Sequence, residues 1–175
     1  MFMKYFVLIF SFFSISYINA QSSDDCISNL SIFAEYYKVK NYESAYEPWM
    51  KVRKECPKIN AAIYSYGKRM LEHFINSNDG DVKIAYQNDL LSLYDEWLIN
   101  FPSLKGRKII GEIISNKAQA MLDNNLASNS EIYNTFNSAY AQDRSSFDDP
   151  KPLYNYFKTY YELYKSGEGD VTLSL

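Results

Sequence analysis

The chain has 175 residues, of which 47% are apolar and 17% aromatic, and its formal net charge at pH 7 is −3. No block of basic residues occurs in the sequence, which excludes the electrostatic footprint of a nucleic-acid-binding protein. Six glycines and five prolines are too few for a disordered or collagen-like chain. The part that follows the first twenty residues has the length of one domain and is long enough to bury a core.

The first twenty residues have the features of a cleavable secretory signal peptide. Lys4 supplies a positive start, and residues 5–18 form an uncharged apolar run. This run is shorter than the roughly 20 residues that span a bilayer, which favours a cleaved signal over the alternative of a retained membrane anchor. Ile18 is uncharged and Ala20 is small, so we expect cleavage before Gln21. The sequence therefore predicts export, and no transmembrane span after cleavage.

Helical spacing of apolar residues dominates the rest of the sequence and predicts seven helices joined by short links. Asp24 or Asp25 is expected to cap the first helix, and Pro57 and Pro102 to end the second and fourth. Asp149 is expected to cap the last helix, whose first residue is a proline. The predicted helices cover residues 27–40, 42–55, 60–76, 82–99, 107–122, 131–144 and 150–164.

These helices group into three hairpins and one further helix, a pattern that calls for a search for repeats. We interpret residues 21–166 as one helical-repeat domain. Residues 167–175 lack a helical period and are predicted to form an irregular tail.

Within residues 26–59, five positions follow the pattern of a known helical repeat. An aromatic residue is followed at fixed offsets by tyrosine, alanine, a second aromatic residue and proline: Tyr36, Tyr42, Ala45, Trp49 and Pro57. This hairpin resembles a tetratricopeptide repeat, a family of 34-residue helical hairpins. In the continued frame Gly67 falls at the small position of the second hairpin, whereas Phe33 departs from the family's small residue in the first. Beyond residue 59 the resemblance is generic, and the alternative is an ordinary helical bundle.

The resemblance implies an all-α, right-handed solenoid of about three hairpins with a C-terminal closing helix. In that family the small residue corresponding to Ala45 lets two helices cross closely, and the aromatic residues fill the space between hairpins. The concave face of the solenoid is lined mainly by the first helix of each hairpin. The candidate groove residues are accordingly Tyr37, Tyr64, Lys68 and Arg69. Exported helical-repeat proteins of Bacteroidetes-type bacteria are similar to this chain in composition.

The two cysteines lie at equivalent ends of the first predicted hairpin. Cys26 precedes the first helix and Cys56 ends the second, so antiparallel packing brings both to the same level. An exported protein meets an oxidising compartment, and an even number of cysteines favours pairing. We expect a disulfide that contributes about 3.5 kcal/mol on the chain-entropy model. Two free, half-buried thiols are the alternative.

No constellation of catalytic or metal-binding residues emerges from the sequence. His73 is the only histidine, and neither a nucleophile motif nor enough zinc ligands accompany it. The turn at residues 78–81 does not fit a calcium loop, because Tyr86 would stand at the position of the bidentate glutamate. Gly106 and Gly111 lack the lysine and hydroxyl residue that complete a phosphate loop. We predict that the protein is not an enzyme and holds no cofactor or metal.

The function expected from the resemblance is a non-enzymatic scaffold of the periplasm or cell envelope, possessing a concave groove for a protein or peptide partner. The identity of that partner is not implied. The alternative is a glycan-binding module that uses clustered tyrosine and tryptophan side chains. The 17 tyrosines bear on this choice, because an exposed aromatic platform favours glycan binding and buried rings favour packing between hairpins.

Overall fold

The computed structural model describes residues 18–167, with side-chain surroundings from residue 24 onward. Within that range the chain is all-α, with one two-stranded ribbon, which confirms the predicted class. The elements are α1 Ile18–Lys38, α2 Tyr42–Glu55, α3 Ala62–Ser77, α4 Gly80–Asn100, β1 Ser103–Leu104, β2 Arg107–Lys108, α5 Ile110–Asp123, α6 Asn129–Asp143, a 3₁₀ turn Arg144–Ser146, and α7 Pro150–Ser166. Most of the predicted signal peptide and nearly all of the predicted tail lie outside the described residues.

The first helix differs most from the sequence prediction. α1 begins at Ile18 rather than near residue 27, because no glycine or proline interrupts the chain between Ile18 and Lys38. Asp24 and Asp25 therefore lie inside the helix, and their prediction as its N-terminal cap is wrong. The chain leaves α1 through Lys40, whose φ of 58° is left-handed and incompatible with a continuing helix.

Side-chain caps fix the starts of the helices that the sequence placed correctly. The Asn41 carboxamide oxygen accepts a hydrogen bond from the Ser44 backbone N–H at 3.3 Å and caps α2. At α7 the Asp149 carboxylate accepts from the Lys151 N–H at 3.0 Å, which confirms the predicted cap. α2 also runs through Pro48, which is buried and has no N–H to donate to the preceding turn.

The short ribbon between α4 and α5 was not predicted. β1 and β2 pair antiparallel, with Ser103 opposite Lys108 and Leu104 opposite Arg107. The two turn residues, Lys105 and Gly106, have φ values of 50° and 79°, as a tight two-residue hairpin turn requires. The fifth helix consequently begins at Ile110 and not at the predicted Arg107.

The described chain forms two compact units, one up to Ile63 and the other from Tyr64 onward. In the first unit α1 packs on α2, and the fully buried side chains include Phe33, Ala45 and Trp49. The Trp49 indole Nε1 donates a 2.8 Å hydrogen bond to the Ile63 carbonyl oxygen. This satisfies the only polar atom of the buried indole, and the Arg53 guanidinium carbon lies 4.9 Å from the ring centroid.

A disulfide joins Cys26 of α1 to Cys56 at the end of α2, with the two Cα atoms 6.1 Å apart. The predicted pairing is therefore confirmed, and neither cysteine is free. Cys26 lies inside α1 and not before it as predicted, so the bond joins the body of α1 to the end of α2.

In the second unit α5 packs chiefly on α6, and both helices contact α7. One buried cluster of this unit consists mainly of aliphatic residues of α5 and α6 with two phenylalanines: Ile114, Ala118, Met121, Ile132, Phe136, Ala139 and Phe147. Such a core fixes the relative position of helices that also carry polar side chains on their other faces.

Candidate functional site

The second unit contains a polar cavity of about 420 Å³, formed by α3, α4, α5 and the first turn of α7. This volume lies within the range of small-ligand and peptide pockets. We refer to it as the polar cavity. Its lining residues are Lys68, Glu72, Ile75, Asn76, Leu90, Tyr94, Asn116, Gln119, Ala120, Asp123, Asn124, Asp149, Lys151 and Pro152.

The large apolar side chains of the lining are buried residues of α3 and α4. Ile75, Leu90 and Tyr94 are almost completely buried. Burial raises the pKa of the Tyr94 phenol far above its usual value, and the negative charges of Glu72 and Asp123 raise it further. Tyr94 therefore keeps its proton at physiological pH and presents a neutral hydroxyl.

One wall of the polar cavity is held by a chain of hydrogen bonds. The Asp123 carboxylate accepts from Lys151 Nζ at 2.7 Å through one oxygen and from Gln119 Nε2 at 2.8 Å through the other. The Gln119 amide oxygen in turn accepts from Asn155 Nδ2 at 2.8 Å. Because each donor and acceptor is matched, these bonds fix the side chains of α5 against the start of α7.

The remaining polar groups of the cavity are amides and charges of both signs. Asn76 and Asn116 provide side-chain amides, and the Asn124 oxygen accepts from Gln87 Nε2 at 3.2 Å. Lys68 lies 3.7 Å from Glu72, one turn away on the same helix. An amide offers both a donor and an acceptor, which is the combination that a peptide bond also presents. The arrangement is suited to binding a polar chain.

The lining contains no histidine, cysteine or serine, and so no arrangement of a nucleophile with a base of the usual kind. His73 is exposed, and its ring packs on Phe74 with the ring centroids 5.7 Å apart. Within the described residues, no group of three or more His, Cys, Asp or Glu side chains is placed to hold a metal ion.

A second, more open cavity of about 520 Å³ is formed by α4, α5 and α6. Its principal ion pair joins Lys117 Nζ to Asp95 at 2.6 Å. Hydroxyl groups of Ser130, Thr135 and Ser138 supply much of the rest of its lining.

The predicted groove residues have different positions in the structure. Lys68 lines the polar cavity, and Arg69 is exposed but is not among its lining residues. Tyr64 is fully buried: it stacks on Trp97 with centroids 6.0 Å apart, and its hydroxyl accepts from Asn100 Nδ2 at 2.8 Å. Its assignment to an open groove is therefore corrected.

Tyr37, the remaining groove candidate, belongs to the first unit. It is half-buried, and its ring contacts the rings of Phe33 and Tyr42 at centroid distances of 6.2 and 5.7 Å. Tyr37 is therefore part of the packing between α1 and α2.

The predicted repeat-packing residues also differ in exposure. Ala45 and Trp49 are fully buried and Gly67 is buried, as close packing requires. Tyr42 and Pro57 are half-buried. Tyr36 is 39% exposed, which is more than a ring enclosed between hairpins would retain.

α7 carries a line of exposed rings, three of which are tyrosines. Tyr154, Phe157, Tyr161 and Tyr164 are 67%, 63%, 58% and 69% exposed. Successive spacings of three, four and three residues place them along one side of the helix. We call this set the aromatic row. The signal was present in the helical spacing, but the sequence alone does not tell a buried aromatic face from an exposed one.

The polar groups Gln119, Asp123 and Asn155 were missed. Gln119 and Asp123 stand four residues apart on α5 and so share a face, which is the signal that would have found them. Their partners on α7, Asn155 for Gln119 and Lys151 for Asp123, are distant in sequence and give no such signal.

Comparison with family models, with curated proteins and with solved structures found no match to this chain. In the part of the chain that the structure describes, the helices fall short of the length and apolar character that a bilayer crossing needs.

Proposed function

We propose that the protein is a non-enzymatic scaffold that binds an extended segment of a partner protein in the polar cavity. The observation that carries this proposal is the origin of the polar lining. Most of it comes from α3 and α5, which are the first helices of the second and third hairpins in the predicted frame, and from α7, the predicted closing helix. In a tetratricopeptide-like solenoid the first helices of the hairpins line the concave face.

The chemistry of the lining favours a peptide over a small charged metabolite. Side-chain amides of Asn76 and Asn116 match the alternating donors and acceptors of an extended backbone. Positive and negative groups are both present, so no single ligand charge is selected. The bonds from Asp123 to Lys151 and Gln119 hold the wall in place before binding, which lowers the entropic cost of association.

The proposed location is the periplasm or cell envelope. The disulfide between Cys26 and Cys56 is compatible with an oxidising compartment, and the apolar run at the start of the sequence has the features expected of a signal peptide. A tetratricopeptide-like, right-handed solenoid of Bacteroidetes type remains our proposal for the family, supported by the pattern of residues 26–59.

The test is capture of partners from an envelope extract by the purified, disulfide-bonded protein, followed by titration of peptides from each captured protein. We expect the double variant Asn76→Ala/Asn116→Ala to bind the cognate peptide at least about tenfold more weakly, a loss of about 1.4 kcal/mol. The matched control is Asn88→Ala/Asn129→Ala, which removes two exposed amides elsewhere. Equal affinity of both double variants, or no specific capture, contradicts the proposal.

A glycan-binding module is the second candidate, and the aromatic row is the observation that favours it. Exposed rings of this kind can stack on the apolar faces of sugars. Against it, Trp49 is fully buried and Trp97 packs on Tyr64, so neither tryptophan joins the row. Glycan-array binding that is lost in Tyr154→Ala/Tyr161→Ala and kept in the cavity variant would favour this candidate over the peptide scaffold.

A further inference from the structure

The aromatic row is an unusual surface for a helix whose opposite face is packed. On the inner side of α7, Leu163 and Thr159 are buried and Tyr156 contacts Phe136 and Phe147. The outer side nevertheless presents four large rings, each more than half exposed. An exposed apolar patch of this size marks an interaction surface more often than an accident of composition.

The spacing of the row is the same when read in either direction. The intervals of three, four and three residues are symmetric about position 159. A two-fold axis perpendicular to α7 at that level places Tyr154 opposite Tyr164 of a second copy and Phe157 opposite Tyr161 of that copy. A two-fold interface requires this self-complementarity, because the same patch serves on both subunits.

The charges beside the row have the same symmetry. At 100° per residue, Lys158 and Glu162 lie on one flank of the row, and neither forms an ion pair with residues 24–167. In the antiparallel arrangement Lys158 stands only about 3 Å along the axis from Glu162 of the second copy, at 1.5 Å per residue. Two symmetric ion pairs result. The two copies of Lys158 are also about 3 Å apart along the axis, so two attractive contacts between the copies stand against one repulsive contact. A parallel arrangement in register would instead place Lys158 level with Lys158 and Glu162 level with Glu162.

The available area agrees with a weak dimer. An aromatic side chain buries 150–250 Å², so the exposed parts of the four rings provide about 500 Å² per copy. The total of about 1,000 Å² lies at the lower limit for a specific interface. Tyrosine is also enriched at such interfaces, because it offers contact area with few rotatable bonds.

We propose that a second copy of this chain docks antiparallel on the aromatic row of α7, forming a two-fold dimer with Lys158–Glu162 ion pairs at its flank. This goes beyond the proposed scaffold function and does not depend on it. The row and the polar cavity share no residue, so each can be tested separately.

Sedimentation velocity of the purified, disulfide-bonded protein over a wide concentration range tests the association. We expect reversible dimerisation in the micromolar range, weakened at least about tenfold by Phe157→Ser/Tyr161→Ser. The control is Ile99→Ser, which removes an equally exposed apolar side chain, 73% accessible, from α4 and leaves the dimer intact. A protein that stays monomeric at all concentrations overturns the proposal. The same holds if the aromatic row of that monomer binds an oligosaccharide.

Charge exchange tests the ion pairs without removing a ring. Lys158→Glu and Glu162→Lys each place like charges at the flank, so each is expected to weaken the dimer several-fold at low salt. The double variant Lys158→Glu/Glu162→Lys recreates the pairs in reverse and is expected to restore association. Failure of the double variant to recover, while both single variants remain folded, contradicts this arrangement.

A cross-linking comparison tests the direction of the helices. Both native cysteines are engaged in the disulfide, so an introduced cysteine supplies the only free thiol. In the antiparallel dimer two copies of position 158 are about 3 Å apart along the axis, and two copies of position 165 about 18 Å apart. A short bis-maleimide should therefore link Lys158→Cys and leave Lys165→Cys unlinked. Equal linking of both variants, or of neither, refutes the antiparallel dimer.

Discussion

At position 111, near the start of α5, the backbone of a neighbouring turn occupies the space of a side chain. A Cβ atom on Gly111 would overlap the carbonyl oxygen of Asp143, and it would lie 3.0 Å from the Ser146 hydroxyl. Backbone atoms cannot move aside as a flexible side chain can. Gly111 is thus required by contact and not by a turn.

We expect Gly111→Ala to lower the free energy of unfolding by about 1–3 kcal/mol, the usual cost of overpacking. Urea denaturation followed by circular dichroism measures it. The matched control is Ser130→Ala, since Ser130 is exposed and is the second residue of α6, as Gly111 is of α5. A loss no larger than that of the control would mean that the 143–146 turn moves freely.

The same turn makes stability depend on pH. Hydrogen bonds from the hydroxyls of Ser146 and then Ser145 hold the pKa of Asp143 below its ordinary value of 3.8, with smaller contributions from the N–H groups of Gly111 and Ile110. Burial acts in the opposite direction but is the weaker effect. Because the folded pKa is the lower one, the carboxylate stabilises the fold above about pH 4, and this stabilisation is lost as the pH falls through the folded pKa.

We therefore expect Asp143→Asn to be less stable than the native chain at pH 7, with a difference that narrows towards pH 3. Thermal unfolding measured across this range tests it. Asp148→Asn removes a nearby exposed carboxylate and should show no such convergence. If the stability difference between Asp143→Asn and the native chain does not change with pH, the substitution acts through packing and not through the charge of Asp143.

Helix caps can be compared directly at the start of α7. Asp149 accepts a backbone hydrogen bond there at 3.0 Å, whereas Asp148 is exposed and makes no hydrogen bond with the described residues. Asp149→Ala should cost about 1 kcal/mol of unfolding free energy, and Asp148→Ala much less, although both remove one charge. Chemical denaturation of the two variants measures the difference. Equal losses of unfolding free energy would indicate that the negative charge near the helix N-terminus stabilises α7, and not the hydrogen bond of Asp149.

Most elements were predictable because their signals are local. The bounds of α2 were predicted without error, since Asn41 and Cys56 flank a clear apolar period. The start of α1 was missed, because a polar stretch without glycine or proline can extend a helix as readily as precede one. The ribbon was missed because nothing in the sequence distinguishes Lys105, which adopts a left-handed conformation, from the other lysines.

The polar cavity was predictable only in part, because its walls come from distant segments. Lys68, which the repeat frame assigned to a groove, is among its lining residues. The bonds that join Asn155 to Gln119 and Lys151 to Asp123 span 36 and 28 residues, and no pattern within one helix indicates them. Tyr64 illustrates the converse: it belongs to a helix expected to line a groove, but lies on that helix's buried side.

At the scale of the whole molecule, the two compact units differ in how they are held. The first contains the disulfide between Cys26 and Cys56, and the second contains no cysteine. Reduction should therefore destabilise the first unit by about 3.5 kcal/mol on the chain-entropy model. Hydrogen exchange followed by mass spectrometry should show protection falling in residues 24–63 and retained in residues 110–163.

The variant Cys26→Ser/Cys56→Ser provides the control for that experiment, since it should respond no further to reductant. Loss of protection spread evenly over both regions would contradict an independent response of the two units. Unchanged protection in residues 24–63 would mean that the packing of α1 on α2 alone maintains the hairpin.

The disulfide also affects when the first hairpin becomes stable. A bond between Cys26 and Cys56 requires an oxidant, so a newly made chain kept in a reducing environment has only the packing of α1 on α2 to hold its first hairpin. The first hairpin therefore reaches its full stability only when the disulfide has formed. Two cysteines 30 positions apart in the sequence thus delay the full stabilisation of the first hairpin until the chain is oxidised.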